Sequence, residues 1–409
     1  MPKVSVVIAS YQHAKFVRQS IESVLDQSFS DFEIVITDDG SMDQTADIVR
    51  SIGDPRIKLQ VFPENLGACV AMNNAIERAT GDYIAVLNSD DYFLPGKLKR
   101  QVRVLDDRKD LAAVFGLPII VDERGALLPE HPLNGVFKPK TQSRHQWLRQ
   151  FFFHGNSLCH PTLMIRRQCY AELGPYDPRL AQLPDFDMWI RLSSRYEFDV
   201  LGERMTAFRV LDNEANQSGS RPDVHARAMW EFSRLLVSFK RLSDIDFAAT
   251  FAGDIEVSGY LGLTRDVILA RLAINAAHPC HQAFGLDLLY DAIGSQLPGI
   301  SSKELSQLAR SLDPFNVQAH FRERELEHTI KAMRLQFDAV YSSTSWRGTR
   351  ALRVLSLASQ MARLAGTRLA SPRKFLRGVG VAARTLKSGG PRALTTQLEN
   401  LTKNLDARN

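Results

Sequence analysis

The chain contains little cysteine and no long apolar run. Its four cysteines lie far apart without CxxC spacing, which favours reduced thiols in the cytoplasm. No run of about 18 apolar residues is present, so we expect no transmembrane helix and exclude a multi-span membrane protein. The N-terminus leads directly into a strand-like segment, so no signal peptide is expected. The sequence also has no internal repeat and no low-complexity tract.

What the sequence does contain is an alternation of strand-like and helix-like patterns. With 409 residues, 44% hydrophobic and 24% charged, it is an ordinary globular composition with room for two or three domains. Residues 41–44 (Ser-Met-Asp-Gln) form a capping-box pattern that predicts a helix ending near residue 52, and residues 67–79 predict another. Gly81 lies where a left-handed, helix-ending residue is favoured. β-Branched apolar runs predict four strands, at residues 3–9, 32–37, 57–62 and 83–87.

Polar residues follow three of these strands. Alternating strands and helices predict an α/β fold with a parallel sheet, in which the loops after strands one, two and four meet at the carboxyl edge. These loops contribute residues 9–11, 38–39 and 90–91. Open α/β folds bind ligands at this edge, and adjacent carboxylates suit Mg²⁺ or Mn²⁺. A simple turn and helix cap is the alternative interpretation of the Asp-Asp-Gly-Ser run at 38–41.

Four segments occur in the order and spacing of glycosyltransferase family 2: VSVVIASY, VITDDGSMDQT, NLGACVAMNNAI and GDYIAVLNSDDYFLP. The segment around His160 resembles the acceptor-side strand of that family, and LPDFDMWIR at 183–191 resembles its GxYD…EDxDLWxR ending. The resemblance covers about residues 2–215 and does not identify the sugar. It implies a GT-A fold, with a catalytic domain over residues 1–219, and an inverting transferase that uses a nucleotide sugar.

The resemblance also implies a donor site on the carboxyl edge of the sheet. Asp91, with Asp90, would bind a Mn²⁺ or Mg²⁺ ion that bridges the donor diphosphate and stabilises its developing charge. The family often has Asp where this chain has Asn88, at the start of this motif. The implied nucleotide contacts are Ala9 and Tyr11 to the nucleoside, Asp39 to the base, Asp90 to the ribose and Asn73 to the diphosphate.

On the acceptor side, a hydroxyl must lose its proton as it attacks the sugar. A carboxylate acting as general base contributes roughly 10²–10⁴-fold. By the resemblance Asp185 is the predicted base and Asp187 the reserve, although Pro184 stands where the family commonly has Glu. Asp185 has a structural alternative, which is to pair with Arg191 or to cap a helix over residues 188–194. His160 is implied on the acceptor side, and a satisfied structural histidine is its alternative.

Helical periodicity continues beyond the catalytic segment. We predict a helical module over residues 220–320, followed by an amphipathic connecting helix over 321–342. The apolar residues on one face of the connecting helix usually pack in a core or against another helix. A homodimeric coiled coil is the alternative. The predicted helices of the module cover residues 225–241, 264–277, 282–293 and 302–311.

Residues 343–409 form a basic tail. They contain 13 Lys/Arg and two acidic residues, so this tail carries +11 and the first 342 residues −6 of the net +5. Its helical stretch at 351–369 combines apolar positions with arginines, which favours an anionic membrane surface, with a solvated tail as the alternative. No nucleic-acid recognition module is found, so nucleic acid is not an expected partner. The STSWR segment at 343–347 resembles one near the ends of bacterial surface-polysaccharide glycosyltransferases, which favours a peripheral location at the inner face of the plasma membrane.

Together these features predict an inverting, metal-dependent glycosyltransferase. It would move a sugar from a UDP- or dTDP-sugar to a hydroxyl of a glycan or lipid-linked acceptor in bacterial surface polysaccharide assembly. A nucleotidylyltransferase is one alternative, but it would carry a Gly-rich basic loop where residues 9–13 read Ala-Ser-Tyr-Gln-His. A non-catalytic nucleotide- or glycan-binding scaffold is the other, and it would tolerate loss of Asp91 or Asp185, both of which are present.

Overall fold

A computed structural model describes residues 1–211, 216, 219, 221–276, 278–312, 330, 331 and 333. Residues 1–316 form one compact unit and residues 317–409 a second. The predicted tail over 343–409 lies outside the described residues, and so does the predicted connecting helix apart from Ile330, Lys331 and Met333, which are helical. The domain boundaries at residues 219 and 320 stay predictions.

One mixed sheet organises the described part of the chain. Its strands β1 to β8 span Val4–Ser10, Phe32–Asp38, Ile57–Val61, Tyr83–Val86, Tyr92–Phe93, Leu111–Val121, Met164–Arg166 and Glu197–Arg209. They lie in the order β3-β2-β1-β4-β7-β6-β8-β5. Neighbours from β3 to β4 are parallel, as are β6 and β8, whereas β7 is antiparallel to both its neighbours and β5 to β8.

Helices cover both faces of this sheet. Helices α1 to α13 span Val17–Leu25, Thr45–Ile52, Ala68–Arg78, Lys97–Asp107, Leu133–Val136, Arg144–His154, Arg167–Leu173, Pro184–Ser193, Pro222–Leu236, Asp244–Ser258, Arg265–Asn275, Pro279–Gly294 and Ser302–Ser311. Short 3₁₀ turns occupy His160–Thr162 and Val237–Arg241. Among the described residues, none of these helices combines the length and apolar character needed to cross a bilayer.

The core divides between the two faces, as the period-two alternation of a strand requires. Val6 and Ile8 of β1 pack in one apolar cluster with α1 and α4. Val7, between them, packs in a second cluster with α3, α6 and α8. Helices α9 to α12 contribute buried side chains to this second cluster, so the helical region shares a core with the sheet. This cluster also buries Trp189 completely.

The predicted capping box at residues 41–44 is wrong. Helix α2 begins at Thr45, and the backbone N–H of Thr45 donates to the carboxylate of Asp43 (3.0 Å). The hydroxyl of Ser41 donates instead to Asp38 (2.8 Å), because the loop turns back toward the end of β2. A capping box does form at α6. The side chain of Ser143 accepts from the backbone N–H of Gln146, and the side chain of Gln146 accepts from the backbone N–H of Ser143.

Gly81 is also not a left-handed helix end. A Cβ at this position would lie 2.7 Å from the backbone nitrogen of Ser5, so glycine permits close approach of the chain to β1. Helix α10 was not predicted. It buries a narrow face through Phe247, Thr250 and Phe251, and so few buried positions give a weak periodic signal.

Candidate active site

The ends of β1 and β2 are joined by a buried carboxylate. Asp38, fully buried, accepts hydrogen bonds from the hydroxyl of Ser10 (2.9 Å) and from the backbone N–H of Ser41 (2.9 Å). Ser10 and Asp38 are also register partners in the parallel ladder. Asp38 therefore holds the end of β1 and the loop after β2 together at the carboxyl edge of the sheet.

Asp39, the next residue, holds the loop after β3. Its two carboxylate oxygens accept from the backbone N–H groups of Leu66 (2.8 Å) and Gly67 (2.9 Å), and Gly67 is the N-cap of α3. Burial raises the pKa of Asp39. Nearby on β1, Ala9 is partly buried, and Tyr11 is 37% exposed. The contacts of these residues with a nucleoside stay predictions.

Asp90 and Asp91 lie beyond the end of β4, but in different surroundings. Asp91 is 2% exposed, and its carboxylate accepts from the backbone N–H of Arg209 (2.7 Å) and from the side-chain amide of Asn88 (2.8 Å). Asp90 is more exposed, and its carboxylate accepts a long hydrogen bond from the amide of Asn216 (3.3 Å). Burial raises the pKa of both carboxyl groups, and the charge of Asp90 raises that of Asp91 further.

A buried arginine that sequence reasoning missed lies beside this pair. Arg209, at the end of β8, is 2% exposed. Its guanidinium donates to the backbone oxygens of Asp90 (2.7 Å) and Glu123 (2.7 Å) and to the side chain of Gln19 (2.7 Å). Its fixed positive charge partly offsets the two carboxylates.

The carboxylate pair fits a divalent cation bound together with a substrate. Mg²⁺ and Mn²⁺ favour oxygen ligands, and Mg²⁺ is usually held by one or two carboxylates plus substrate phosphates. Burial raises the pKa of Asp90 and of Asp91, and a bound cation would favour the ionised form of both. Within the described ranges, no three His, Cys, Asp or Glu side chains cluster as a protein-only metal site. Asp90 is the more exposed of the two carboxylates.

On the acceptor side, Asp185 and Asp187 both lie in the first turn of α8, but only Asp187 is paired with a cation. The guanidinium of Arg191 contacts Asp187 (2.8 and 2.7 Å) and also donates to backbone oxygens of the preceding turn, including that of Leu173 (2.7 Å). The alternative in which Asp185 pairs with Arg191 is therefore wrong.

Asp185 has a different environment. Its carboxylate accepts from the side-chain amide of Asn156 (3.0 Å), another residue that sequence reasoning missed. Burial raises the pKa of Asp185 to about 6, while hydrogen bonds from Asn156 and the backbone of Phe186 lower it in part. A carboxyl group with this pKa is ionised at neutral pH and is more basic than an exposed aspartate. Its role as the base stays a prediction.

His160 belongs to a buried polar chain next to α8. Its Nε2 lies 2.9 Å from the hydroxyl of Tyr176, which lies 3.0 Å from the hydroxyl of Tyr170. Burial lowers the pKa of His160 to about 4, so the ring is neutral at neutral pH. Asn73 exchanges two hydrogen bonds with the backbone of Tyr176 (2.8 and 2.9 Å). Asn73 thus ties α3 to the acceptor side, and its contact with a diphosphate stays a prediction.

The segment over residues 156–163 lies between the two sides. Cys159 lies just before the 3₁₀ turn that contains His160, and burial raises its pKa well above the usual value. Asn156, three residues before Cys159, donates to Asp185 (3.0 Å), and Leu163, four residues after Cys159, accepts from the backbone N–H of Val86 at the end of β4 (3.3 Å). The structure therefore brings the predicted donor-side and acceptor-side carboxylates to one region.

Comparisons with known proteins show the family of this chain. Residues 5–171 match the model of glycosyl transferase family 2. An uncharacterised glycosyltransferase of Methanocaldococcus jannaschii is 31% identical over 52% of this chain and 72% of its own length. The putative glycosyltransferase EpsE of Bacillus subtilis is 32% identical over 46% of this chain and 66% of its own length.

Among solved structures, S. aureus TarS 1–349 in complex with UDP is similar in fold. It has a TM-score of 0.50 at 18% identity, covering 78% of this chain and 91% of that one. The similarity supports the GT-A α/β fold expected from the sequence, and the predicted resemblance is confirmed. The chain belongs to glycosyltransferase family 2.

Proposed function

We propose that the protein is an inverting, metal-dependent glycosyltransferase that moves a sugar from a nucleotide sugar to a hydroxyl of a glycan or lipid-linked acceptor. Bacterial surface polysaccharide assembly is the setting we favour. The observation that carries the proposal is that residues 156–163 contact both carboxylate centres: Asn156 donates to Asp185 on α8, and Leu163 bonds to the end of β4, which leads into Asp90 and Asp91. UDP in the S. aureus structure supports a uridine-type donor.

Asp90 and Asp91 serve the leaving group. When the bond to the anomeric carbon breaks, its electron pair stays on the nucleoside diphosphate, which gains negative charge. A divalent cation held by these carboxylates would supply Lewis-acid stabilisation of that charge. Asp91, fixed by Arg209 and Asn88, sets the geometry of the pair, and Asp90 offers the more accessible oxygens. Asp39 keeps the loop beside the nucleoside in place through Leu66 and Gly67.

Asp185 serves the acceptor. The acceptor hydroxyl gives its proton to the Asp185 carboxylate while its oxygen bonds to the anomeric carbon on the face opposite the leaving group, so the configuration inverts. The hydrogen bond from Asn156 orients the carboxylate, and the raised pKa strengthens it as a base. His160 is neutral and therefore suits hydrogen bonding to an acceptor better than ion pairing.

The proposal is tested by finding the donor first. Thermal shifts are measured with a panel of UDP-, dTDP- and GDP-sugars, each with and without Mn²⁺. The donor that stabilises the protein only with metal is then incubated with p-nitrophenyl glycosides, and products are resolved by mass and anomeric configuration. We expect release of a nucleoside diphosphate and an inverted glycoside. A retained configuration, or full activity in EDTA, contradicts the mechanism, and release of pyrophosphate from a nucleoside triphosphate supports a nucleotidylyltransferase.

A further inference from the structure

A carboxylate from the helical region holds the loop that precedes α8. Glu231 of α9 is fully buried, although glutamate is almost never fully buried unless it is paired. Its carboxylate accepts three backbone hydrogen bonds, from the N–H groups of Ala181, Gln182 and Leu183, each at 2.8 Å. Arg227, one turn earlier on α9, adds a charged hydrogen bond (2.9 Å).

These three bonds hold the loop directly before α8, whose N-terminus has no side-chain cap of its own. Leu183 is the N-cap of α8 and has no side-chain oxygen with which to cap it, and Pro184 follows with no N–H to donate. Helix N-termini favour a negative charge, because their free N–H groups carry partial positive charge. Asp185 and Asp187 supply negative charge in the first turn of α8, and Glu231, far away in the chain, holds the three residues that lead into that turn.

The contact continues past the loop into α8. Phe232, next to Glu231, stacks on Phe186 with ring centroids 6.0 Å apart and an interplanar angle of 17°. Phe186 directly follows Asp185. Two successive residues of α9 thus hold the segment on both sides of the proposed base, one by hydrogen bonds and one by ring packing.

We propose that Glu231 is a positioning residue for Asp185, so that the helical region forms part of the catalytic apparatus. This inference rests on the proposed role of Asp185 as base. A base must lie within hydrogen-bond reach of the proton it removes, and a displacement of about 1 Å can cost on the order of 100-fold in rate. Releasing residues 181–183 would allow the first turn of α8 to move.

The test compares the Glu231→Gln and Glu231→Ala variants with a matched control. Asp254→Asn removes a similar contact of the helical region, since Asp254 of α10 pairs with Arg149 of α6 (2.7 Å), away from residues 181–185. For each full-length protein, kcat, the donor KM, the melting temperature and hydrogen exchange of the peptide over 178–190 are measured. The probes are the nucleotide sugar and glycoside that the wild-type protein uses.

We expect kcat to fall by about 100-fold in Glu231→Ala and less in Glu231→Gln, which keeps one acceptor oxygen. The donor KM should stay within about twofold, and exchange over 178–190 should accelerate. Asp254→Asn should lower the melting temperature while keeping kcat. Wild-type kcat or unchanged exchange in Glu231→Gln overturns the inference. If Asp185→Asn is fully active, the proposed function fails instead, whatever the Glu231 variants do.

Discussion

The two sides of the site hold their carboxylates by different means. On the proposed donor side, the carboxylates themselves hold the neighbouring chain in place. Asp39 accepts from the backbone of Leu66 and Gly67, and Asp91 accepts from Arg209 and Asn88. On the acceptor side, Asp185 receives a single side-chain hydrogen bond, and its neighbours hold the segment in place. Substitutions on the donor side therefore change chemistry and structure together, whereas those on the acceptor side can separate the two.

The largest effect is expected on the donor side. Asp91→Ala should abolish metal-dependent donor hydrolysis and transfer. It should also cost about 1–3 kcal/mol of stability, because the backbone N–H of Arg209 and the amide of Asn88 lose their acceptor. Activity, Mn²⁺-dependent UDP binding and urea unfolding measure the three consequences. Asp91→Asn keeps the shape and provides the control for folding, and turnover equal to wild type in either variant would rule out the metal role.

The next largest effect is expected at Asp185. Asp185→Asn should keep donor binding and lower transfer by roughly 10²–10⁴-fold, because only the base is removed. Asp187→Asn is the matched control, since it breaks the contact with Arg191 and should lower stability by about 1–3 kcal/mol with a smaller loss of rate. If Asp187→Asn instead loses most of its transfer activity, the base is Asp187 and not Asp185.

The same comparison explains what could be predicted from the sequence. The parallel half of the sheet and the donor-side carboxylates were predictable, because each strand is a local apolar run and each aspartate follows a strand end. The hydrogen bonds that hold the acceptor side join residues distant in the chain. Asn73 bonds to Tyr176, and Glu231 bonds to Leu183. No local pattern signals such a pairing. Even local patterns can mislead, because Ser41 bonded back to Asp38 instead of capping α2.

A smaller effect concerns pH. With a pKa of about 6, Asp185 must lose its proton before it can act, so kcat should fall about tenfold per unit below pH 6 and level off above it. Because folding raises this pKa from 3.8, the carboxyl group destabilises the folded state as pH rises from about 4 to 6. Asp185→Asn should therefore be more stable than wild type at pH 8, by about 1–3 kcal/mol, with the difference vanishing near pH 4. Unfolding in urea across this range measures it, and a constant difference would contradict the assignment.

The smallest effect on catalysis is expected from removal of residues 343–409, the basic tail predicted from the sequence. Residues 343–409 carry +11 in a chain whose other residues total −6, so anionic lipid should attract them, by about 1 kcal/mol for each basic residue near the surface. We expect the full chain to sediment with anionic but not with neutral liposomes. High salt should weaken this binding, because the attraction acts within a Debye length of about 8 Å at physiological ionic strength. A variant truncated after residue 342 should stay in solution and transfer sugar to a p-nitrophenyl glycoside within about twofold of the full chain. Salt-resistant sedimentation would indicate hydrophobic insertion, and failure to sediment with anionic liposomes at low salt would leave the tail without a membrane role.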